Sequence, residues 1–141
     1  MLVYLSQKKG NVISSVEIAD AMRIPQKYLI RIARKLRDAQ ILETNVGSGG
    51  GYTLKRDPED ISMYEVIKLM EGTIKINKCL EEGNPDDGKN CTEEHRRNCH
   101  VHACYEVLQD GIEGYLHKIR IGDMIKEAEI RKAKENFKKA F

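Results

Sequence analysis

The 141-residue sequence lacks any apolar run near the ~18 residues that a membrane-spanning helix needs. Its mean hydropathy is −0.54, and 33% of its residues are charged. The first residues, MLVYLSQKKG, also lack the basic segment, long apolar stretch and small-residue cleavage site of a secretory signal. The sequence therefore predicts a cytoplasmic protein with no membrane partner. The same residues resemble the tail of a longer helix, so we expect further chain upstream.

Charge is unevenly distributed along the chain, although the formal net charge is only +2. Residues 1–56 carry ten Lys/Arg and four Asp/Glu, whereas residues 57–141 carry fourteen and eighteen. A basic face suits nucleic acid, because neutralising phosphates releases counterions and steers association. A solvated protein surface would explain the same excess.

Two short helices separated by a tight connection are predicted in the basic half. Ser14 or Ser15 offers an N-cap for a helix over about 15–22, and Pro25 opens a second helix over about 25–38. The second helix carries apolar residues at 3,4 spacing and basic residues away from them. These helices form a helix-turn-helix candidate, although a helical hairpin with a solvated charged face has the same pattern.

A glycine-tipped hairpin is predicted directly after these helices. Residues 41–44 and 52–54 can form two strands, and the run 47–51 between them can form a flexible tip. Without side chains, the tip lets backbone N–H groups approach a phosphate, and it lacks the Lys and Ser/Thr of a P-loop. The sequence thus predicts a winged helix-turn-helix domain that binds palindromic duplex DNA. The predicted DNA contacts are Lys27, Tyr28, Arg31, Arg34, Lys35, Ser48, Gly49 and Gly50.

The acidic half is predicted to contain one short and one long helix. Ser62 and Glu65 form a capping box for a helix over about 63–71. From Cys99 onward, apolar residues follow 4,3,4,3,4 spacing, which is the seam of a helix that packs along another helix. We interpret it as a dimerisation helix, since two-fold reading of DNA half-sites needs two copies; packing on its own domain is the alternative. The seam residues are Val101, Tyr105, Leu108, Ile112, Tyr115 and Ile119.

The predicted fold class is mostly α with a small β-wing, a winged helix-turn-helix domain followed by a long dimerisation helix. We divide the chain into a DNA-binding domain (1–72), a cysteine-containing cluster-binding loop (73–98), a dimerisation helix with a short terminal element (99–126) and a charged helical tail (127–141).

All four cysteines lie within 26 residues of the acidic half. Cytosolic thiols stay reduced, so such clustering more often indicates metal binding or redox sensing than structural disulfides. Residues 79–98 contain no apolar side chain except Leu80 and the cysteines, so hydrophobic burial cannot order them. The spacing Cys79-x11-Cys91-x7-Cys99-x2-His102 is not that of a zinc finger, and thiolates also bind iron-sulfur clusters.

Other assignments for this region stay open from the residues alone. Cys99 and His102 share one helix face, whereas His95 and His100 are alternates for a fourth ligand. Cys104 is predicted to be a small packed residue beside the seam. Thiol sensing without metal is a further alternative, because arginines and a helix N-terminus near a cysteine favour its thiolate.

The order of these parts resembles the IscR/NsrR/CymR family of bacterial winged-helix regulators over nearly the whole chain. The segments that carry the resemblance are SSVEIADAMRIPQKYLIRIARKLRDAQILE, GSGGGYTLKRDPEDISMYEVIKLMEG, the cysteine loop, and HVHACYEVLQDGIEGYL ending in IRIGDMI. The resemblance implies a homodimeric transcriptional regulator, not an enzyme, that senses iron-sulfur, redox or nitric oxide status. It implies a 2Fe-2S cluster, in preference to 4Fe-4S, at Cys79, Cys91, Cys99 and His102.

Two other functions are weighed against this one. The first is a metal-free winged-helix repressor controlled by thiol oxidation or by a partner enzyme, as CymR-like members are. The second is a small redox or electron-transfer protein. The wing, and the absence of any nucleophile and base constellation, disfavour the second.

Overall fold

The computed structural model describes residues 1–8, 10–47, 49–81, 92–127 and 131. The described part is mostly helical and contains one small antiparallel sheet, which confirms the predicted fold class. In chain order the elements are α1 (Leu2–Gln7), α2 (Ser15–Met22), α3 (Gln26–Asp38), β1 (Leu42–Asn45), β2 (Gly51–Leu54), a 3-10 turn (Pro58–Asp60), α4 (Met63–Glu71), a 3-10 turn (Lys78–Leu80), α5 (Glu93–Arg97) and α6 (His100–Lys118), and residues 121–127 are again helical.

Helices α2 and α3 form the predicted helix-turn-helix. The hydroxyl of Ser14 caps α2 by accepting from the N–H of Glu17 at 3.1 Å. Helix α2 ends at Arg23, which adopts the left-handed conformation with φ 54°. Pro25 is the extended N-cap of α3 and not its first helical residue, so the predicted start was one residue early. Gln26 at the start of α3 donates to the hydroxyl of Ser15 at 2.8 Å, which fixes the two helices together at that end.

The hydrophobic core lies beneath α3. Leu29, Ala33 and Leu36, at spacings of four and three residues, are buried against the other elements. Burying a side chain of leucine or isoleucine size contributes about 1.5–3 kcal/mol, so this face holds α3 firmly and leaves its basic side outward. The full core set is Leu2, Leu5, Ile13, Ile18, Ala19, Leu29, Ala33, Leu36, Ile41, Leu42, Ile61 and Ile121.

Strands β1 and β2 form the wing, each beginning or ending one residue away from the predicted bounds. They pair from Leu42 opposite Leu54 to Asn45 opposite Gly51. Ile13 lies beside β2 as an isolated bridge and exchanges two backbone hydrogen bonds with Tyr52, at 3.1 and 2.9 Å. A Cβ on Gly51 would overlap the backbone of Ile13, so this close approach requires glycine.

The capping box of α4 is half formed. Ser62 accepts from the N–H of Glu65 at 3.1 Å, as predicted. The carboxylate of Glu65 forms an ion pair with Arg56 at 2.5 Å, which draws it toward β2. The segment after α6 returns to this end of the domain, because Ile121 donates its N–H to Ile61 and is itself buried.

Helix α6 packs one of its faces on its own chain. Tyr105, Ile112 and Ile119 of the predicted seam are half-buried. Val101, Leu108 and Tyr115 are 64%, 51% and 66% exposed. The seam is therefore divided between packing on its own domain and an open face. None of the described helices is both long and apolar enough to cross a bilayer.

Candidate nucleic-acid interface and cysteine site

The outer face of α3 carries every predicted contact of that helix. Because successive helical residues turn by about 100°, the basic side chains lie on the side opposite Leu29, Ala33 and Leu36. This arrangement leaves a cationic ridge on the surface, held in place by the buried face beneath it. The exposed members of the ridge are Lys27, Tyr28, Arg31, Arg34 and Lys35.

Two of these cations contact other parts of the protein. The guanidinium of Arg31 lies 5.1 Å from the ring centroid of Tyr28, within the range of a cation–π contact. The ammonium of Lys35 donates to the carbonyl oxygen of Met70 at 3.0 Å, at the C-terminal end of α4. Lys27 and Arg34 have no hydrogen-bond or ion-pair partner within the described part of the chain. Among the described residues, Lys27 and Arg34 are therefore free to bind another molecule, whereas Arg31 and Lys35 already contact other groups of the protein.

The tip of the wing is a tight glycine turn. Gly50 donates its N–H to the carbonyl of Gly47 at 2.9 Å, and Gly47 has a φ of 126°, which favours glycine. Gly49 is exposed and has open space where a side chain would stand. Of the predicted wing contacts, Gly49 and Gly50 lie at this tip, and Ser48 lies outside the described residues. Because the N–H of Gly50 is donated within the turn, Gly49 is the described tip residue whose backbone N–H can face a phosphate.

His102 is the most informative member of the predicted ligand set. Its side chain is 14% exposed, and its Nε2 lies 3.5 Å from Glu106 Oε1. Its Nδ1 is buried and has no hydrogen-bond partner among the residues that the structure describes. A neutral imidazole with Nε2–H directed at a carboxylate has its lone pair on Nδ1, as in many metal-ligating histidines. This orphaned nitrogen fits a metal ligand.

Cys99 lies three residues before His102 in the chain, and Cys79 lines the same cavity as His102. Cys99 is the N-cap of α6, and its sulfur accepts from the N–H of His102 at 3.4 Å. Cys79 lies on the 3-10 turn Lys78–Leu80, and with His102 it lines a cavity of about 670 Å³. Two thiols and one unpartnered imidazole nitrogen are donors that iron-sulfur clusters accept.

The remaining predicted residues are only partly placed. Cys91 lies outside the described residues, and within those residues no three His, Cys, Asp or Glu side chains converge closely enough to hold a metal ion. His95 and His100 are exposed, which separates both from the buried position of His102. Cys104 is exposed in this single chain, so the prediction that it is packed is wrong for the chain alone.

Gln109 is a site residue that the sequence interpretation missed. It is 4% exposed and is the buried polar residue of α6. Its Oε1 accepts from the N–H of Ile76 at 3.0 Å, and its Nε2 donates to the carbonyl of Ile74 at 2.5 Å and to Glu113 at 2.6 Å. Gln109 thereby clamps the segment before Cys79 onto α6. Gln109 lies four residues after Tyr105 and three before Ile112, which are both half-buried. This helical spacing was the signal in the sequence that places Gln109 on the packed face of α6.

The chain is similar in sequence and in fold to known transcriptional regulators. A family model named Rrf2 and described as an iron-dependent transcriptional regulator matches residues 1–127. The chain is 27% identical over 128 residues to the HTH-type transcriptional regulator IscR of Escherichia coli, covering 91% of this chain and 74% of that protein. The structure of T. potens IscR has a TM-score of 0.66 at 26% identity, covering 90% of this chain and 79% of that one.

A second structural relative supports the fold alone. CymR, the global cysteine regulator of B. subtilis, has a TM-score of 0.67 at 22% identity, covering 89% of this chain and 88% of that one. Together with the family match, these similarities confirm the resemblance drawn from the helix-turn-helix, wing and cysteine segments. The chain belongs to the Rrf2 family of transcriptional regulators.

Proposed function

We propose that this regulator binds palindromic duplex DNA as a homodimer and that an iron-sulfur cluster controls the binding. The cluster, 2Fe-2S in preference to 4Fe-4S, is held by Cys79, Cys91, Cys99 and His102. The signal is iron-sulfur, redox or nitric oxide status. The observation that carries the cofactor assignment is the buried, unpartnered Nδ1 of His102 beside the cavity that Cys79 also lines.

The three proposed ligands that the structure describes lie on two local elements, the start of α6 and the 3-10 turn that carries Cys79. Cys99 is fixed as the N-cap of α6, where its sulfur accepts from the backbone N–H of His102. His102 follows one turn later, with its Nε2 3.5 Å from Glu106 Oε1 and its Nδ1 unpartnered within the described residues. Cys79 is brought close by the Gln109 clamp. A bound cluster would supply a redox-sensitive charge that holds these elements together.

The proposed DNA interface consists of the α3 ridge and the wing tip. The ridge supplies cations for phosphates and base edges, and the tip supplies the backbone N–H of the exposed Gly49. The proposed dimer contact is the open side of α6, where Val101, Leu108 and Tyr115 repeat at seven-residue intervals. Two copies joined along this helix would present two α3 ridges to the two halves of a palindrome.

The cofactor assignment is tested by anaerobic purification and reconstitution of the full chain. Iron, sulfide and the visible spectrum are measured for wild type, His102→Ala and the matched control His100→Ala, whose histidine is exposed. We expect the wild type and the control to retain iron and sulfide in equal amounts. We expect His102→Ala to lose iron faster, because one ligand is missing.

Two results would contradict the assignment. Equal iron loss in both histidine variants would remove His102 from the ligand set. A wild-type dimer that binds neither iron nor sulfide after reconstitution would remove the cluster altogether. A metal-free regulator with the same DNA interface would then replace the proposal, and its DNA affinity should respond to a thiol oxidant.

DNA binding is tested separately by titrating selected genomic fragments against the protein at increasing salt. A protein that neutralises several phosphates loses affinity steeply, with a slope of about −0.9 per phosphate in a log–log plot. Absence of any salt-dependent complex would reject the DNA interface without bearing on the cluster.

A further inference from the structure

Ile30 is an exposed branched aliphatic residue on the cationic side of α3. Its side chain is 38% exposed, whereas its neighbour Leu29 is fully buried in the core. Single exposed aliphatic residues are common and by themselves indicate little. The surroundings of Ile30, however, are specific.

Two free cations stand on either side of Ile30. Lys27 precedes it by three residues and Arg34 follows it by four, so all three side chains are neighbours on one helix face. Lys27 and Arg34 have no hydrogen-bond or ion-pair partner among the described residues, and both are exposed. On the other flank of the ridge, Lys35 is already engaged with the backbone of α4. The outward face of α3 therefore presents Ile30 between two cations, Lys27 and Arg34, that have no partner in the described part of the chain.

We propose that Ile30 is a specificity residue that packs against the C5-methyl group of a thymine in the major groove. The inference rests on the proposed DNA interface. An isoleucine side chain has no donor or acceptor, so it cannot read the polar edge of any base. The thymine methyl is the one apolar group that base edges present in that groove.

The position of Ile30 in the helix agrees with this role. It is the fifth residue of α3, and the N-terminal residues of a recognition helix contact base edges in helix-turn-helix complexes. Lys27 and Arg34 would meet phosphates on either side and fix the register of the helix. With the register fixed, the aliphatic side chain faces one base step in each half-site.

The expected effect is small but measurable. Removing one methyl group from an apolar contact changes affinity about fourfold, from the transfer free energy of a single buried CH2-sized group. A dimer reads two half-sites, so removal from both should weaken binding by about the square of that factor, roughly 16-fold.

The experiment uses the full chain and a duplex selected by the wild type from a random library. Each thymine of the duplex is replaced singly by uracil, which lacks only the methyl, and affinity is measured by fluorescence anisotropy at constant salt. We expect one thymine in each half-site to show a loss of about fourfold. The variant Ile30→Ala should bind the thymine and uracil duplexes equally at that position.

Lys27→Ala is the matched control on the same face. It should weaken both duplexes by the same factor and reduce the salt slope, because a phosphate contact carries no sequence information. Circular dichroism of both variants verifies that α3 is intact, which is expected for exposed side chains.

The proposal is overturned if uracil has no effect at any position, or if Ile30→Ala keeps the full thymine preference of the wild type. In both cases specific DNA binding persists, so the proposed function survives. If no duplex is selected at all, the proposed function fails and the thymine contact fails with it.

Discussion

Replacing Gln109 by alanine tests whether this side chain positions the segment before Cys79. The substitution removes two hydrogen bonds to the backbone of that segment, one from Ile76 N–H and one to the carbonyl of Ile74. It also removes the contact with Glu113, whose carboxylate lies 3.8 Å from the ammonium of Lys75. Within the described residues, no other side chain of α6 forms hydrogen bonds to both backbone groups.

The magnitude follows from the two backbone bonds. Each contributes a net of about 0.5–1.5 kcal/mol, so their loss should lower the free energy of opening the segment by about 2 kcal/mol. Ile74 and Ile76 are half-buried, and water can therefore replace part of the lost bonding. A loss of about 2 kcal/mol corresponds to roughly 30-fold faster hydrogen exchange at the amide of Ile76.

The assay is amide hydrogen exchange of the wild type, Gln109→Ala and the neighbouring Asp110→Ala. Asp110 is exposed, so its variant should leave the protection of Ile76 unchanged. Exchange in the core of α3 should be the same in all three proteins, because the clamp lies outside that core. Wild-type protection of Ile76 in Gln109→Ala would refute the clamp.

Three further predictions use other parts of the structure. Gly51→Ala should lower the stability of the domain by about 1–3 kcal/mol in urea unfolding, because the added methyl overlaps the backbone of Ile13; an unchanged midpoint would contradict the close approach. Leu108→Glu should abolish the proposed dimer and leave a monomer in analytical ultracentrifugation, since the dimer contact would bury a carboxylate, whereas Asp110→Ala should behave as the wild type. Arg34→Gln should weaken DNA binding similarly on all sequences and reduce the magnitude of the salt slope by about 1; an unchanged slope would exclude Arg34 from phosphate contact.

The helices and the wing could be predicted because their signals are local. Ser14 and Ser62 cap the helices that their positions indicated, and the 3,4 spacing of Leu29, Ala33 and Leu36 identified the buried face of α3. Each of these depends on residues within about one or two helical turns. Bounds differed by a single residue at Pro25 before α3, at Gly51 in β2 and at both ends of β1, since element ends are the least specified part of a local pattern.

Contacts between distant elements could not be predicted in the same way. The hydrogen bond from Lys35 to Met70 joins residues 35 apart, and the Gln109 bonds join residues 33 and 35 apart. Periodicity showed that α6 has an apolar seam, but the division of that seam into half-buried Tyr105 and exposed Leu108 depends on where α4 packs. Such pairings are set by tertiary packing, which a single sequence does not display.

Buried apolar side chains support the proposed DNA-binding helix, whereas few buried side chains support the segment that carries the proposed ligand Cys79. Within the described residues, every buried apolar side chain belongs to residues 1–61 or to Ile121, and between 62 and 118 only Ser62 and Gln109 are buried. Segments held by a few polar contacts open at lower free energy than segments that share a hydrophobic core. We therefore expect segment 73–81 to open at a lower free energy than α3. The contact of Lys35 with the carbonyl of Met70 joins α3 to the C-terminal end of α4, directly before that segment. The Lys35–Met70 hydrogen bond is thus a described contact between the cationic ridge and the part of the chain that leads into segment 73–81.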